Sequence, residues 1–364
     1  CPNTGHQSRT TTGPLRRAHL ISTLLEPAGR IEGNPIRLPE NSGIAYIGCY
    51  VLGMGFVVDV AEAHEWIATD ARNAEVLFPY LNGEDLNSRP DASASRWVID
   101  FNDRTEADAA TYTLPYSRLA EQVKAERAGK PKAVRDAPWW LFLRARPAMR
   151  EAVAALSEVL VIARVSKTVM PLRVPTGQVP SEACVVFASD SYSHQAVLSS
   201  SLHQIWAITY GSGLRNDPRY TPSDVFETFP RPTLTDRLER VGRTLDEERR
   251  EIMLRRKLGL TALYNLANDR HIADSSDPDV ARARAIHVEL DYAVIEAYGW
   301  SDIPLDHGFH TYRKMERWTM CPTARTEILD RLLEENHHRA ELGPSSQPVS
   351  ARIEVPHEEG TLFS

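Results

Sequence analysis

Apolar positions along the chain change period several times, and each change predicts an element. Residues 44–60, IAYIGCYVLGMGFVVDV, are apolar, β-branched and aromatic with interspersed glycines, which predicts two short buried strands joined by a turn. In residues 61–77, Ala63, Trp66 and Ile67 recur at helical spacing, and Val76 and Leu77 follow an Asn interruption. The polar run after Pro79, YLNGEDLNSRPDASASRW, reads as a loop between two packed units, ahead of a strand at Trp97 to Phe101. Residues 116–135 are helix-compatible and broken at Gly129 and Pro131. Pro147 to Leu156 reads as a helix, Val159 to Val169 as a strand leading to Pro171, and Val185 to Ala188 as another strand. A helix over His194 to Tyr210 places Val197, Leu198, Leu202, Ile205 and Trp206 on one face, and Gly211 and Gly213 stop it.

Beyond Pro232 the pattern turns long, charged and helical: Leu234 to Lys257, Pro278 to Tyr298 and Thr323 to His337. Asp277 suits an N-cap, Pro278 a first helical turn and Gly299 a C-cap. Residues 1–43 form a weakly specified leader with one short amphipathic stretch, Leu15 to Leu25, and residues from Gly343 read as a flexible tail. The expected fold class is α+β: a mixed α/β unit over 59–232, then an α-helical unit over 233–342 and a tail over 343–364.

Composition narrows the class. A 364-residue chain with 42% hydrophobic residues can bury real cores. It holds no long uncharged apolar run and no secretory signal, so a cytoplasmic protein without membrane contact is expected. Cys1, Cys49, Cys184 and Cys321 lie far apart with no CxxC, which predicts free thiols. The chain opens on Cys1 without an element that reads as a domain start, as expected of a piece of something longer. A formal net charge of −7 argues mildly against nucleic acid as a partner. Its distribution argues the other way, because Thr111 to Arg231 holds 15 Lys and Arg against 10 Asp and Glu.

Several catalytic signatures are missing. There is no Pro-Pro dipeptide for the Asp/Asn/Ser-Pro-Pro-aromatic tetrapeptide that binds a flipped adenine, and Gly53/Gly55 and Gly211/Gly213 do not extend to GxGxxG. None of Lys124, Lys130, Lys132, Lys167, Lys257 or Lys314 follows an acidic residue by two positions, as the common magnesium nuclease centre requires. HExxH, GxSxG and GxxxxGK[ST] are absent, and the pairs His307/His310 and His337/His338 lack further ligands.

Specific evidence comes from several long strings in order: VLGMGFVVD (51–59), LFPYLNGEDLNSRPDASASRWVIDF (77–101), VSK (165–167) and RYTPSDVFETFPRP (219–232). Together they resemble the target-recognition region of MmeI-like type IIG restriction-modification enzymes. The helical run with ARTEILDRLLEENHHR near its end is similar to that family's C-terminal helical domain. The resemblance implies that residues 1–58 are a leader and the remnant of a methyltransferase domain, and that residues 59–232 recognise double-stranded DNA. It also implies that an N6-adenine methyltransferase domain acts in cis or in trans, within a restriction-modification or phage-defence system. No cofactor is expected in this chain; S-adenosylmethionine, and magnesium if the parent cleaves DNA, are implied for the full enzyme. A stand-alone specificity or protein-interaction subunit, docking a separate methyltransferase or nuclease, is the alternative.

Candidate contacts fall in two segments. Arg164, Ser166, Lys167 and Thr168 place cations and two hydroxyls on a strand, suited to phosphate and base edges; a solvated strand edge competes with that reading. By position Gly211 to Tyr220 resembles the family's base-reading loop, which points to Arg215, Asn216, Arg219 and Tyr220, against an ordinary surface loop. Pro79 to Leu86 reads as a docking turn in preference to a phosphate contact through Asn82. Phe226, Phe229 and Trp206 read as core, and Trp139-Trp140 as either packing or nucleic-acid contact.

Overall fold

The computed structural model describes residues 31–214, 217–312 and 315–343. The helix expected over Leu15 to Leu25, Arg215 and Asn216, and the tail after Gly343 lie outside them. In chain order, β1 (Ala45–Ile47), β2 (Val57–Val58), α1 (Val60–Thr69), β3 (Leu77–Leu81), α2 (Gly83–Ser88) and β4 (Arg96–Ile99) come first. Then follow α3 (Glu106–Ala109), α4 (Thr113–Ala128), α5 (Lys132–Arg135), α6 (Pro147–Val153), β5 (Glu158–Ala163), β6 (Leu172–Pro175), β7 (Val179–Pro180) and β8 (Cys184–Phe187). The rest of the chain forms α7 (Tyr192–Ser199), α8 (Ser201–Tyr210), β9 (Ser212–Leu214), β10 (Asp217–Arg219), α9 (Asp236–Arg256), α10 (Leu260–Ala267) and α11 (Pro278–Ala297). It closes on β11 (Gly308–Tyr312), β12 (Met315–Thr319) and α12 (Pro322–Leu342).

One sheet runs β1-β8-β5-β6, antiparallel throughout; the other runs β2-β4-β3-β7, with β3 and β7 parallel. The two short strands expected over 44–60 are present as β1 and β2, but they belong to different sheets. The crossing starts at Gly48, where a side chain would collide with the Pro180 and Ser181 backbone. Cys49 then donates its N–H to the Pro180 carbonyl at 2.8 Å, and Ser181 donates to Leu81 at 2.8 Å, which stitches the two sheets together.

The unbroken apolar run of β5 is explained by burial on both faces. Val159, Val161 and Ala163 enter one core with the second sheet, α4, α6 and α10, while Leu160 and Ile162 enter another with α7, α8, α11 and α12. Both cores draw residues from either side of Pro232, so the mixed and helical units expected from sequence share their interiors.

Other boundaries also moved. The expected loop after Pro79 contains the end of β3 and all of α2, and α2 has a capping box: Asn82 Oδ1 accepts from Asp85 N at 3.1 Å while Asp85 Oδ2 accepts from Asn82 N at 3.1 Å. The helix over His194 to Tyr210 is two helices, since extended backbone at Ser200 lets its hydroxyl accept from His203 N and restart the ladder. The helical unit also carries the β11-β12 hairpin, which the sequence reading missed. Asp277 and Pro278 begin α11 as expected, with Asp277 accepting from Asp279 N and Val280 N.

Candidate nucleic-acid interface

β5 ends at Ala163, and the chain beyond it turns toward β10. Val165 and Arg219 form an antiparallel bridge, and Tyr220 donates its N–H to the Arg164 carbonyl at 2.7 Å. The two segments singled out from sequence, Arg164 to Thr168 and the end of Gly211 to Tyr220, are therefore neighbours. β9 and β10 pair as a hairpin directly before that junction.

At the junction the polar side chains divide into two kinds. Ser166, Thr168 and Tyr220, expected to face DNA, are instead buried. Ser166 Oγ donates to Asn87 Oδ1 at 3.1 Å and accepts from Thr168 N at 3.1 Å, so it shapes the turn. Tyr220 packs edge-on against Phe187 and donates its hydroxyl to His203 Nε2 at 2.9 Å. His203 Nδ1–H donates to the Leu198 carbonyl at 2.9 Å, and burial pushes this histidine down to about 4, so it is neutral. These residues hold the segment; Lys167 is exposed, and Arg164 and Arg219 are partly exposed.

Arginines elsewhere commonly have carboxylate partners: Arg150 with Asp100 at 2.6 Å, Arg256 with Asp277 at 2.9 Å, Arg282 with Glu248 at 2.6 Å, Arg331 with Asp302 at 2.6 Å. Around the junction this stops. Among the described residues Arg144, Arg146, Arg164, Lys167 and Arg219 have no carboxylate within ion-pair distance. The Arg164 guanidinium is held below its ordinary range first by burial, then by the like charges of Arg219 and Arg146, with Glu182 opposing. Arg146 is lowered by burial and by Arg144. Sequence reading missed Arg146, whose only sign was the local surplus of basic residues, and weighed Arg144 only as a neighbour of Trp139-Trp140.

The remaining candidates have structural roles. Asn82 is occupied as the α2 cap. Trp139 packs against Trp140 and Tyr116, with Lys124 over its ring, and Trp140 Nε1 donates to the Arg104 carbonyl at 3.0 Å. Trp206, Phe226 and Phe229 are in the core, as expected. His307 is bonded to buried Asp291 at 2.8 Å. Among the described residues no group of three His, Cys, Asp or Glu is placed to hold a metal, and no helix is long and apolar enough to cross a membrane.

A cleft of about 390 Å³ lies apart from this chemistry, lined by Cys49, Met149, Arg150, Val174 and Gln178 among others. None of the unpaired cations lines it, and burial pushes the Cys49 thiol up to about 11, away from thiolate chemistry.

The description "MmeI, target recognition domain" fits residues 49–233 of the chain. No curated protein sequence matches it. Among solved structures, the type IIL restriction-modification enzyme MmeI in complex with DNA is similar, with a TM-score of 0.62 and 17% identity over 89% of this chain. The chain spans 39% of that protein's length, and at this identity the likeness is one of fold.

Proposed function

The chain belongs to the family of MmeI target recognition domains, and from that premise we propose that it reads duplex DNA for a restriction-modification enzyme. The observation that carries this reading is the meeting of Arg164 and Arg219 amid cations without carboxylate partners. Phosphates supply the charge such a surface lacks, and counterion release supplies affinity. The β9-β10 pair stands beside it, and the residues that separate the two strands in sequence, Arg215 and Asn216, have the side chains that suit guanine O6/N7 and adenine N6/N7. Phosphate contacts then set the register in which those two side chains reach base edges.

The same reading assigns methyl transfer to adenine N6, with its S-adenosylmethionine, to a methyltransferase domain in cis or in trans. Magnesium is assigned likewise if the parent enzyme cuts. The polypeptide here lacks the adenine-binding tetrapeptide and the GxGxxG loop that this chemistry uses.

Selection of random duplexes at two salt concentrations, followed by sequencing, tests the proposal. A short asymmetric site that is retained at the higher salt and lost in Arg215→Ala/Asn216→Ala supports base reading. Binding that disappears with salt and enriches nothing refutes it and favours a subunit that docks other proteins.

A further inference from the structure

Arg146 precedes α6 in a left-handed conformation, φ 58 and ψ 58, which a side chain of this size rarely adopts. Its Nε donates to the Gly48 carbonyl at 3.2 Å, at the point where the chain crosses between the sheets. The backbone and this bond together fix the base of the guanidinium. Arg146 is partly buried and has no carboxylate partner, yet the fold keeps its charge in reach of Arg164.

Arg164 is incomplete in a different way. Its Nε is buried without an acceptor, and its Nη1 has only a long contact, 3.5 Å, to the Glu182 carbonyl. A buried guanidinium N–H without a partner is uncommon in a finished interior. Arg219 joins through the backbone bridge at Val165. Among the described residues Glu182 is the one carboxylate whose charge acts on both Arg146 and Arg164, so positive charge is in excess there. Guanidinium forks match the oxygens of a tetrahedral oxyanion.

We propose that Arg146, Arg164 and Arg219 form one seat for a single phosphate, which in the DNA-recognition reading on which this rests is a phosphodiester of the bound duplex. Arg219 then positions the DNA and does not read a base, which leaves sequence choice to other residues such as Arg215 and Asn216. A free phosphate would satisfy the same donors, and the experiment separates the two sources.

The measurement is the salt dependence of the affinity of the full 364-residue chain for a nonspecific duplex. Each lost phosphate contact lowers the slope of log K against log salt by about one. Arg146→Gln is expected to lower it by up to about one, and Arg146→Gln/Arg164→Gln/Arg219→Gln by no more than about one, because all three serve the same phosphate. Should the triple variant not fold, the double variant Arg146→Gln/Arg164→Gln carries the same expectation. Arg146→Lys, which keeps the charge, is expected to retain most of the slope.

An unchanged slope in Arg146→Gln, or a fall of about two or three in the multiple variants, overturns the shared seat. Lack of duplex binding by the unsubstituted chain refutes the DNA reading and the phosphodiester with it. Inorganic phosphate against chloride at equal ionic strength then decides the seat itself. A rise in thermal midpoint that Arg146→Gln abolishes keeps it as a site for free phosphate, and no rise removes it.

Discussion

The hydroxyl of Tyr220 lies 2.9 Å from Nε2 of His203, joining the end of the β9-β10 segment to the buried face of α8. Because His203 Nδ1–H is committed to the Leu198 carbonyl, Tyr220 is the donor in this pair. Tyr220→Phe keeps the ring contact with Phe187 and leaves a buried acceptor unpaired. The expected loss is about 1–3 kcal/mol of stability, read from urea unfolding midpoints. An unaltered midpoint would mean that the bond does not anchor the segment.

Acid should destabilise the protein well above the carboxylate range. His194, His203 and His287 are each pushed down to about 4, chiefly by burial. Arg231 adds to this at His194 against Glu239, and Arg249 and His307 add to it at His287 against Asp291. A folded-state value below the unfolded one, about 6.5, means that the unfolded chain binds more protons between the two. Stability from these groups is therefore complete above about pH 6.5 and falls as pH drops toward 4, at up to about 4 kcal/mol per pH unit for three sites. Denaturant midpoints between pH 7.5 and 4.5 measure the fall, and His203→Gln should flatten it. A level profile over that range would contradict the neutral assignment.

Gly242 lies where α9 crosses α7, and a methyl group there would overlap the Tyr192 carbonyl. Alanine is the better helix former, yet Gly242→Ala should lose about 1–3 kcal/mol through overpacking. Gly177→Ala is the control, since nothing lies within 4 Å of the added carbon. Equal melting temperatures for the two variants would remove the close-approach argument.

Lys167 is exposed and has no carboxylate partner among the described residues. Lys167→Ala should weaken binding to every duplex by a similar factor while the selected site stays the same. A changed site in the sequenced pool would make Lys167 a base reader.

Asn336 ties distant parts of the chain together: its Nδ2 donates to the Ile36 carbonyl at 2.7 Å and to the Thr228 carbonyl at 2.6 Å, and its Oδ1 accepts from Ile36 N at 2.8 Å. Removing the amide leaves the buried Thr228 carbonyl, and the N–H and carbonyl of half-exposed Ile36, without these partners. Asn336→Ala should cost about 2 kcal/mol or more, visible as a lower thermal midpoint. An unchanged midpoint would show that water replaces the amide there.

What could be read from sequence was what neighbours in sequence decide. Asp277 and Pro278 start α11, and Gly129 and Pro131 end α4 and precede α5, because caps and breakers act within one helical turn. The continuous apolar run of β5 followed from burial on both faces, and two of the cations without carboxylate partners among the described residues, Lys167 and Arg219, lie in the family-like strings. The Asn82 to Asp85 capping box was legible by its spacing, although the surrounding Asn-Gly and Arg-Pro favoured a loop. Only the tertiary structure placed β1 and β2 in separate sheets, brought Arg146 near Arg164, and bridged Val165 to Arg219. It also turned Ser166, Thr168 and Tyr220 inward while Lys167 stayed exposed. Side-chain type and local spacing are properties of a few residues, whereas burial and charge neutralisation depend on whatever long-range packing brings alongside.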